Sequence, residues 1–183
     1  LAVSIPEIRE KQSERLFKGL LKKGDELSTP RLRHELYLLA LACMESPLFL
    51  SKELGQQIVD KASTLVPPRS SDEIARIAKA GDLMVELLRI NPRFSFHKMA
   101  RCVDALVAIG SERAVMALIE YAKSPVYTAE QAHELRRAIS SGLWRLDPTD
   151  YCSRVLSQVQ SLDLSDTQVS DAGLVHLQGL SAL

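Results

Sequence analysis

The sequence predicts a mainly α-helical protein, on two observations. Apolar residues recur at steps of three and four through most of the chain, the spacing that places them on one face of a helix. The breaks between these stripes are short and contain Gly or Pro, which end helices. No alternating strand pattern occurs before residue 159. We therefore expect about seven helices of 10 to 18 residues, with antiparallel neighbours where connections are short.

Several segments carry the start signals of helices. In a capping box a hydroxyl accepts a hydrogen bond from the N–H three residues on, and the Glu or Gln there reaches back. The segments with this form are Ser4 to Glu7, Ser70 to Glu73 and Thr128 to Gln131. Thr29 precedes a proline at the first helical position, and Ser51 and Ser111 are simpler N-caps.

Each predicted helix carries one apolar stripe, so each is expected to bury one side. The stripes are Leu32, Leu36, Leu39 and Cys43; Leu54, Ile58, Ala62 and Leu65; Ile74, Ile77, Gly81, Met84 and Leu88; Met99, Cys102, Leu106 and Ile109; Val115, Leu118 and Ala122; and Ala132, Leu135, Ile139, Leu143 and Leu146.

The composition is that of a folded protein with no strong charge bias. The 183 residues are 46% hydrophobic and 25% charged, and 23 basic residues balance 23 acidic ones. A nucleic-acid partner is not expected, because the chain has no basic excess. A membrane partner is not expected either, because no apolar run approaches the roughly 18 to 20 residues of a membrane span.

The cysteines and the first residues favour a cytoplasmic location. Cys43, Cys102 and Cys152 are an odd number of widely spaced cysteines, and the first two lie on apolar stripes. Cys43 and Cys102 are therefore expected to be reduced, buried thiols. The chain opens without a secretory signal. It also opens on Leu1 instead of Met, so we expect a fragment or a processed product.

From Val159 the apolar spacing changes. Leu162 and Leu164 alternate, a polar Thr167 follows, and Leu183 lies 24 positions after Val159. This pattern resembles the leucine-rich-repeat template. The resemblance implies a short strand with Leu162 and Leu164 facing the core, followed by a short helix. Ser161, Asp163 and Ser165 would face the concave side and contact a partner. An amphipathic helix after a loop explains only the second half of the pattern.

The segment from Ala100 to Pro125 resembles a HEAT-like repeat, a pair of helices of which the first ends near "IG" and the second begins "AV". Ala132 to Leu146 resembles a degenerate partner unit, and Ala75 to Arg89 an eroded one. An irregular helical bundle remains the alternative.

The predicted domains are a helical scaffold over residues 1–156 and a leucine-rich-repeat unit over 157–183. A single repeat unit cannot bury its own faces. We therefore expect the array to continue beyond Leu183, or the unit to dock on the helices as its cap.

No segment carries a recognised catalytic motif: the P-loop, the dinucleotide-binding glycine motif, the nucleophile elbow and the zinc-protease motif are all missing. The four histidines are His34, His97, His133 and His176, and none pairs with a cysteine or carboxylate at a metal-binding spacing. We therefore predict no catalytic, cofactor-binding or metal-binding residues, and no enzymatic activity in this chain.

Two further features each have two interpretations. A basic stripe on the first helix could contact phosphate or anionic lipid, but Glu14 precedes Lys18 by four residues, which favours a solvated, salt-bridged face. The stripe consists of Lys11, Arg15, Lys18 and Lys22. Trp144 could anchor an interface, but its place beside Leu143 and Leu146 favours the core.

HEAT-like helices followed by leucine-rich repeats resemble the region between the NTPase and the sensor of bacterial NACHT-type STAND proteins, the relatives of NOD-like receptors. The resemblance implies a scaffold and the start of a sensor for a protein ligand, in a parent protein that forms ATP-dependent homo-oligomers. The alternatives are a free-standing HEAT and leucine-rich-repeat scaffold without an NTPase, and an accessory or effector domain with an unrecognised active site.

Overall fold

The computed structural model describes residues 5–44, 50–128, 132–159, 162–164 and 175–177. The prediction of a mainly helical fold is confirmed, and no strand occurs among these residues. The chain divides into two compact units, Leu1–Val66 and Pro67–Leu183. The predicted boundary between residues 156 and 157 is a different division and stays a prediction.

The unit Leu1–Val66 contains α1 (Ile5–Glu26), α2 (Pro30–Cys43) and α3 (Lys52–Ser63). All three pack against one another. Their shared core includes fully buried side chains from each helix: Phe17, Leu41, Leu54 and Ile58.

One polar cluster joins the end of α1 to α2 and α3. The Tyr37 hydroxyl donates to Asp25 Oδ1 at 2.5 Å, and Lys61 Nζ lies 2.5 Å from the same oxygen. Gly24 lets the tyrosine ring approach, because a Cβ there would lie 2.6 Å from Tyr37 Cε1. The Lys61 and Tyr37 hydrogen bonds lower the pKa of Asp25.

The predicted apolar stripe of α2 is wrong. Leu32 and Leu39 are 47% and 49% exposed, and Leu36 and Cys43 are half-buried. The buried side is Tyr37, Leu38, Ala40 and Leu41. Leucines occur on both sides of this helix, so spacing alone did not indicate which side faces α1 and α3.

The unit Pro67–Leu183 contains the remaining described helices. They are α4 (Ser71–Lys79), α5 (Val85–Leu88), α6 (Phe96–Ile109), α7 (Glu112–Lys123), α8 (Pro125–Thr128), α9 (His133–Ser140), α10 (Gly142–Arg145) and α11 (Pro148–Arg154), with 3₁₀ turns at Gly81–Met84, Leu156–Gln158 and Val175–Leu177. The stripes predicted for α3, α6 and α7 are buried, except that Ile109 is half-buried. Periodicity identified the inner side correctly where apolar residues occupy one side of the helix.

The helix expected from Ile74 to Leu88 is broken. Gly81 has φ of 69°, a left-handed conformation that a helix interior does not contain, so α4 ends before it. The stripe is still buried on both sides of the break, at Ile74, Ile77, Met84 and Leu88. The result is two short helices joined by the 3₁₀ turn Gly81–Met84 in place of one long helix.

The last predicted helix is interrupted at Ser141, although the backbone there stays right-handed, with φ of −63°. Tyr151, which is 1% exposed, donates its hydroxyl to the Ile139 carbonyl at 2.6 Å. Its ring lies over Gly142, where a Cβ would be 2.3 Å from Tyr151 Cζ. A buried tyrosine thus contacts the point where α9 gives way to α10.

Of the predicted helix starts, two are confirmed with their hydrogen bonds. Ser70 Oγ accepts from Glu73 N and Ser111 Oγ from Ala114 N, at 3.3 and 3.2 Å. The Glu73 carboxylate accepts from Arg69 N, one residue before the cap. Thr29 and Ser51 are N-caps by position, without a side-chain cap bond.

The other two capping boxes have different outcomes. Thr128 is the last residue of α8, and the next helix begins at His133, so its assignment as an N-cap is wrong. Pro125, which favours the first turn of a helix, starts that short helix before Thr128 is reached. Ser4 lies outside the described residues.

The described part of the C-terminal segment is not a strand. Residues 162–164 have irregular backbone and are all half-buried, so the predicted alternation of inward and outward positions is not observed. A strand needs a neighbouring strand for its backbone hydrogen bonds, and the described residues contain none. Val159 is buried, and Val175–Leu177 packs against α11.

The cysteines are free thiols, with Cys102 and Cys152 buried and Cys43 half-buried. Burial was therefore predicted correctly for Cys102 but not for Cys43. Burial raises the pKa of the Cys102 thiol to about 12, so this thiol stays protonated at neutral pH.

In the part of the chain that the structure describes, no helix combines the length and apolar character of a membrane span.

Candidate functional site

A cleft of about 680 Å³ lies between α6 and the bent pair α9–α10. Its volume is within the range of ligand-binding clefts. The α6 wall is formed by His97, Ala100, Arg101 and Asp104. The opposite wall is formed by Glu134, Arg137, Ala138, Ser141, Trp144 and Arg145.

Helical spacing places these side chains along the cleft. The four α6 residues fall at i, i+3, i+4 and i+7, and the first four of the opposite wall have the same spacing, so each set shares one helix face. His97 Nδ1 lies 2.9 Å from Glu134 Oε2 near the starts of α6 and α9. Further along, Asp104 is near Arg137 and Arg145. The two helices therefore run side by side in the same direction.

The walls carry more positive than negative charge. Arg101, Arg137 and Arg145 face the cleft with two carboxylates, Asp104 and Glu134. Burial raises the pKa of Asp104, although Arg101, Arg145 and Arg137 act to lower it. Arg101 Nη1 is 3.9 Å from Asp104 Oδ2, which is too long for a hydrogen bond. The neighbouring arginine therefore neutralises Asp104 only loosely.

Two N–H donors in the walls are buried without an acceptor among the described residues. They are Trp144 Nε1 and Arg101 Nε. A buried donor without a partner costs about 1–3 kcal/mol. Trp144 as a whole is half-buried, not a core residue as its neighbours suggested. The cleft thus combines guanidinium groups, an aromatic ring and donors in need of acceptors, a set suited to binding an anionic group.

Asp163, the predicted contact residue that the structure describes, does not line this cleft. Asp163 is half-buried in the irregular stretch 162–164, and Ser161 and Ser165 lie outside the described residues.

The ion pair expected on the first helix is confirmed, with Lys18 Nζ 2.7 Å from Glu14 Oε2. Among the described residues, no group of histidine, cysteine and acidic side chains has the arrangement of a metal site.

The cleft was missed from the sequence because its walls are distant in the chain. His97 and Glu134, which pair across it, are 37 positions apart. The available signal was the recurrence of polar residues at steps of three and four, at 97, 101 and 104 and again at 134, 137 and 141. Polar positions with that spacing normally form the solvated side of a helix, so the pattern predicts a cleft only when the two helices are known to be neighbours.

The chain was also compared with known proteins, and no protein-family model, curated protein or solved structure matches it.

Proposed function

We propose that this chain is a non-catalytic scaffold in which HEAT-like helical hairpins lead into the first unit of a leucine-rich-repeat ligand sensor. The observation that carries the proposal is the stacking of hairpin turns in Pro67–Leu183. In the described part of this unit, three helix pairs turn at Gly81, at Gly110 and at Leu146–Asp147.

Successive turns contact each other. The Ser111 hydroxyl donates to Asp82 Oδ1, which joins the first turn to the second. A Cβ on Gly110 would lie 2.9 Å from Leu146 Cδ2, so the second turn touches the third. Gly110 has φ of 64°, the left-handed C-cap that closes α6 before Ser111 starts α7. The same kind of contact therefore recurs from one hairpin to the next, as in repeat proteins.

The second helices of the pairs also contact one another. Tyr121 of α7 donates its hydroxyl to the Leu88 carbonyl at the end of α5, at 3.0 Å. Arg154 of α11 binds Glu112 at the start of α7, with Nη1 2.9 Å from Oε2. First helices pack on first helices as well, since α6 contacts both α4 and α9. This arrangement supports a HEAT-like array over an irregular bundle.

The leucine-rich-repeat part of the proposal rests on the sequence pattern and on how the described tail residues pack. Val159 is buried, and Val175–Leu177 lies against α11. These contacts support a repeat unit that docks on the last hairpin, with the helices acting as its cap. A protein ligand would bind the repeat surface, where Ser161, Asp163 and Ser165 are the proposed contacts.

The order of these parts supports placing the chain in a cytoplasmic STAND-type receptor, in which an upstream NTPase drives ATP-dependent homo-oligomerisation. The residues of this chain are assigned no role in nucleotide binding. The alternative is a free-standing HEAT and leucine-rich-repeat scaffold. In both, the chain works by binding protein, because stacked repeats present extended binding surfaces.

The parent reading frame distinguishes the two. We expect a P-loop within one domain's length upstream of Leu1, and we expect the whole protein to change from monomer to oligomer when ATP is added, measured by light scattering with chromatography. A parent frame without a P-loop would reject the STAND assignment and leave the free-standing scaffold.

A further inference from the structure

We propose that the cleft between α6 and α9–α10 is a second ligand site, which binds an acidic side chain on an extended peptide segment of a partner protein. This goes beyond the proposed function, which assigns ligand recognition to the leucine-rich-repeat surface. It does not depend on an NTPase upstream.

The shape of the cleft favours a peptide. On each wall the matched helical residues span seven positions, which is about 10 Å along a helix. An extended peptide rises about 3.3 Å per residue, so about three residues would occupy this length. The cleft is open to solvent, and His97, Arg137 and Arg145 are exposed along it. A peptide can therefore enter as part of a longer chain.

The charges favour a carboxylate. An arginine fork binds a carboxylate or a phosphate with two parallel hydrogen bonds, and the cleft has three arginines. Asp104 and Glu134 reduce their excess to about one positive charge, which matches a carboxylate monoanion. The same two carboxylates would repel a phosphate dianion, and the arginines would repel a metal ion.

Trp144 supplies the part of the site that distinguishes a peptide from a free ion. Its ring offers apolar contact beside the charged groups, and its Nε1–H is buried without an acceptor among the described residues. An acceptor for this N–H could come from either kind of ligand, but only a peptide also places apolar neighbours against the ring. Trp144 is also the single tryptophan of the sequence, so its fluorescence reports on this site alone.

The test is a fluorescence titration of the purified full chain. The probe is a five-residue peptide, blocked at both ends, with one Glu between two Leu and a Gly at each end. Its matched control has Gln in place of Glu. We expect saturable change in Trp144 emission with the Glu peptide and at least about tenfold weaker binding of the Gln peptide, since a charge-assisted hydrogen bond contributes more than a neutral one.

Variants locate the binding. Arg145→Gln is expected to weaken binding of the Glu peptide about tenfold, and Arg101→Gln likewise. Asp104→Asn is expected to tighten it about threefold, because a repelling charge leaves the wall. Arg113→Gln is the control, since Arg113 is exposed and lies 3.3 Å from Glu86 outside the cleft. Circular dichroism of each variant checks that it is folded, and Arg101→Lys replaces Arg101→Gln if the latter unfolds.

Several outcomes would overturn the proposal. These are no emission change up to 10 mM peptide (about the weakest binding worth assigning), equal binding of the Glu and Gln peptides, or full binding by Arg145→Gln. Tighter binding of inorganic phosphate or of the matching phosphoserine peptide would overturn the carboxylate assignment. None of these results bears on the parent reading frame, so the proposed function stands or fails separately.

Discussion

The units Leu1–Val66 and Pro67–Leu183 hold their helices together by different contacts. In the first unit the polar cluster of Asp25, Tyr37 and Lys61 joins three helices at one place. In the second, each hairpin turn contacts the next, at Asp82 with Ser111 and at Gly110 with Leu146. The first unit therefore has one polar cluster shared by three helices, and the second has a turn-to-turn contact that recurs along the chain.

The comparison shows what a repeated turn contributes. At the second turn a left-handed Gly110 ends α6 and the Ser111 cap starts α7. The first turn has the left-handed glycine alone, at Gly81, and the third has the capping side chain alone, at Asp147. The helices of the first unit have no such turn among the described residues. There, Leu32 and Leu39 of α2 remain exposed. Three predictions test this contrast, because changes at the α9–α10 break and at the Gly110 turn of the second unit should cost more than a change in the cluster of the first.

The largest effect is expected for Gly142→Ala. The new methyl would overlap the buried Tyr151 ring, so the ring must move and its hydrogen bond to the Ile139 carbonyl is lost. Overpacking and the loss of a buried hydrogen bond together should lower the free energy of unfolding by about 3 kcal/mol. Urea unfolding followed by Trp144 fluorescence measures this. Gly19→Ala is the matched control, since its methyl would meet no described atom within 4 Å, and it should be neutral or stabilising.

A smaller loss, of about 2 kcal/mol, is expected for Gly110→Ala. Alanine is strained at the φ of 64° found here, and its methyl would also press on Leu146. In a Leu146→Ala background the steric part should disappear and the backbone part remain. Equal losses in both backgrounds would show that the two turns do not touch. Gly55→Ala in α3 serves as the control, because its methyl would make only an ordinary contact with Met44 at 3.6 Å.

The smallest effect is expected for Asp25→Asn, at about 1 kcal/mol near neutral pH, because the cluster is partly exposed. Hydrogen bonds from Lys61 and Tyr37 lower the pKa of Asp25 below its ordinary 3.8. The carboxylate therefore stabilises the fold above about pH 4, and this contribution is lost as pH falls through the lowered pKa. The difference in Tm between the natural chain and Asp25→Asn should shrink from pH 6 to pH 3. A difference that stays constant would mean that Asp25 is not held as a carboxylate.

Local signals predicted part of the fold well. Ser70 and Ser111 were identified as N-caps because a cap uses only the next three residues. The buried sides of α3 and α7 were identified because their apolar residues occupy one side. The breaks at Gly81 and Ser141 were missed, since a continuous stripe passes through both and a stripe does not show where a helix bends.

The candidate site was not predicted by these signals. The pairing of His97 with Glu134 depends on which helices become neighbours, and that depends on how the hairpins stack. The predicted contact positions Ser161, Asp163 and Ser165 came from a repeat pattern and stay predictions.

The sequence by itself determined that the chain is mainly helical and where four of its helices begin, namely α2, α3, α4 and α7, because capping and periodicity act over one or two turns. The tertiary structure decided which side of α2 is buried, that Tyr151 packs over Gly142, and that three arginines and Trp144 share one cleft. These outcomes depend on residues that are distant in the chain, and the energy of such contacts is defined only once the helices are packed.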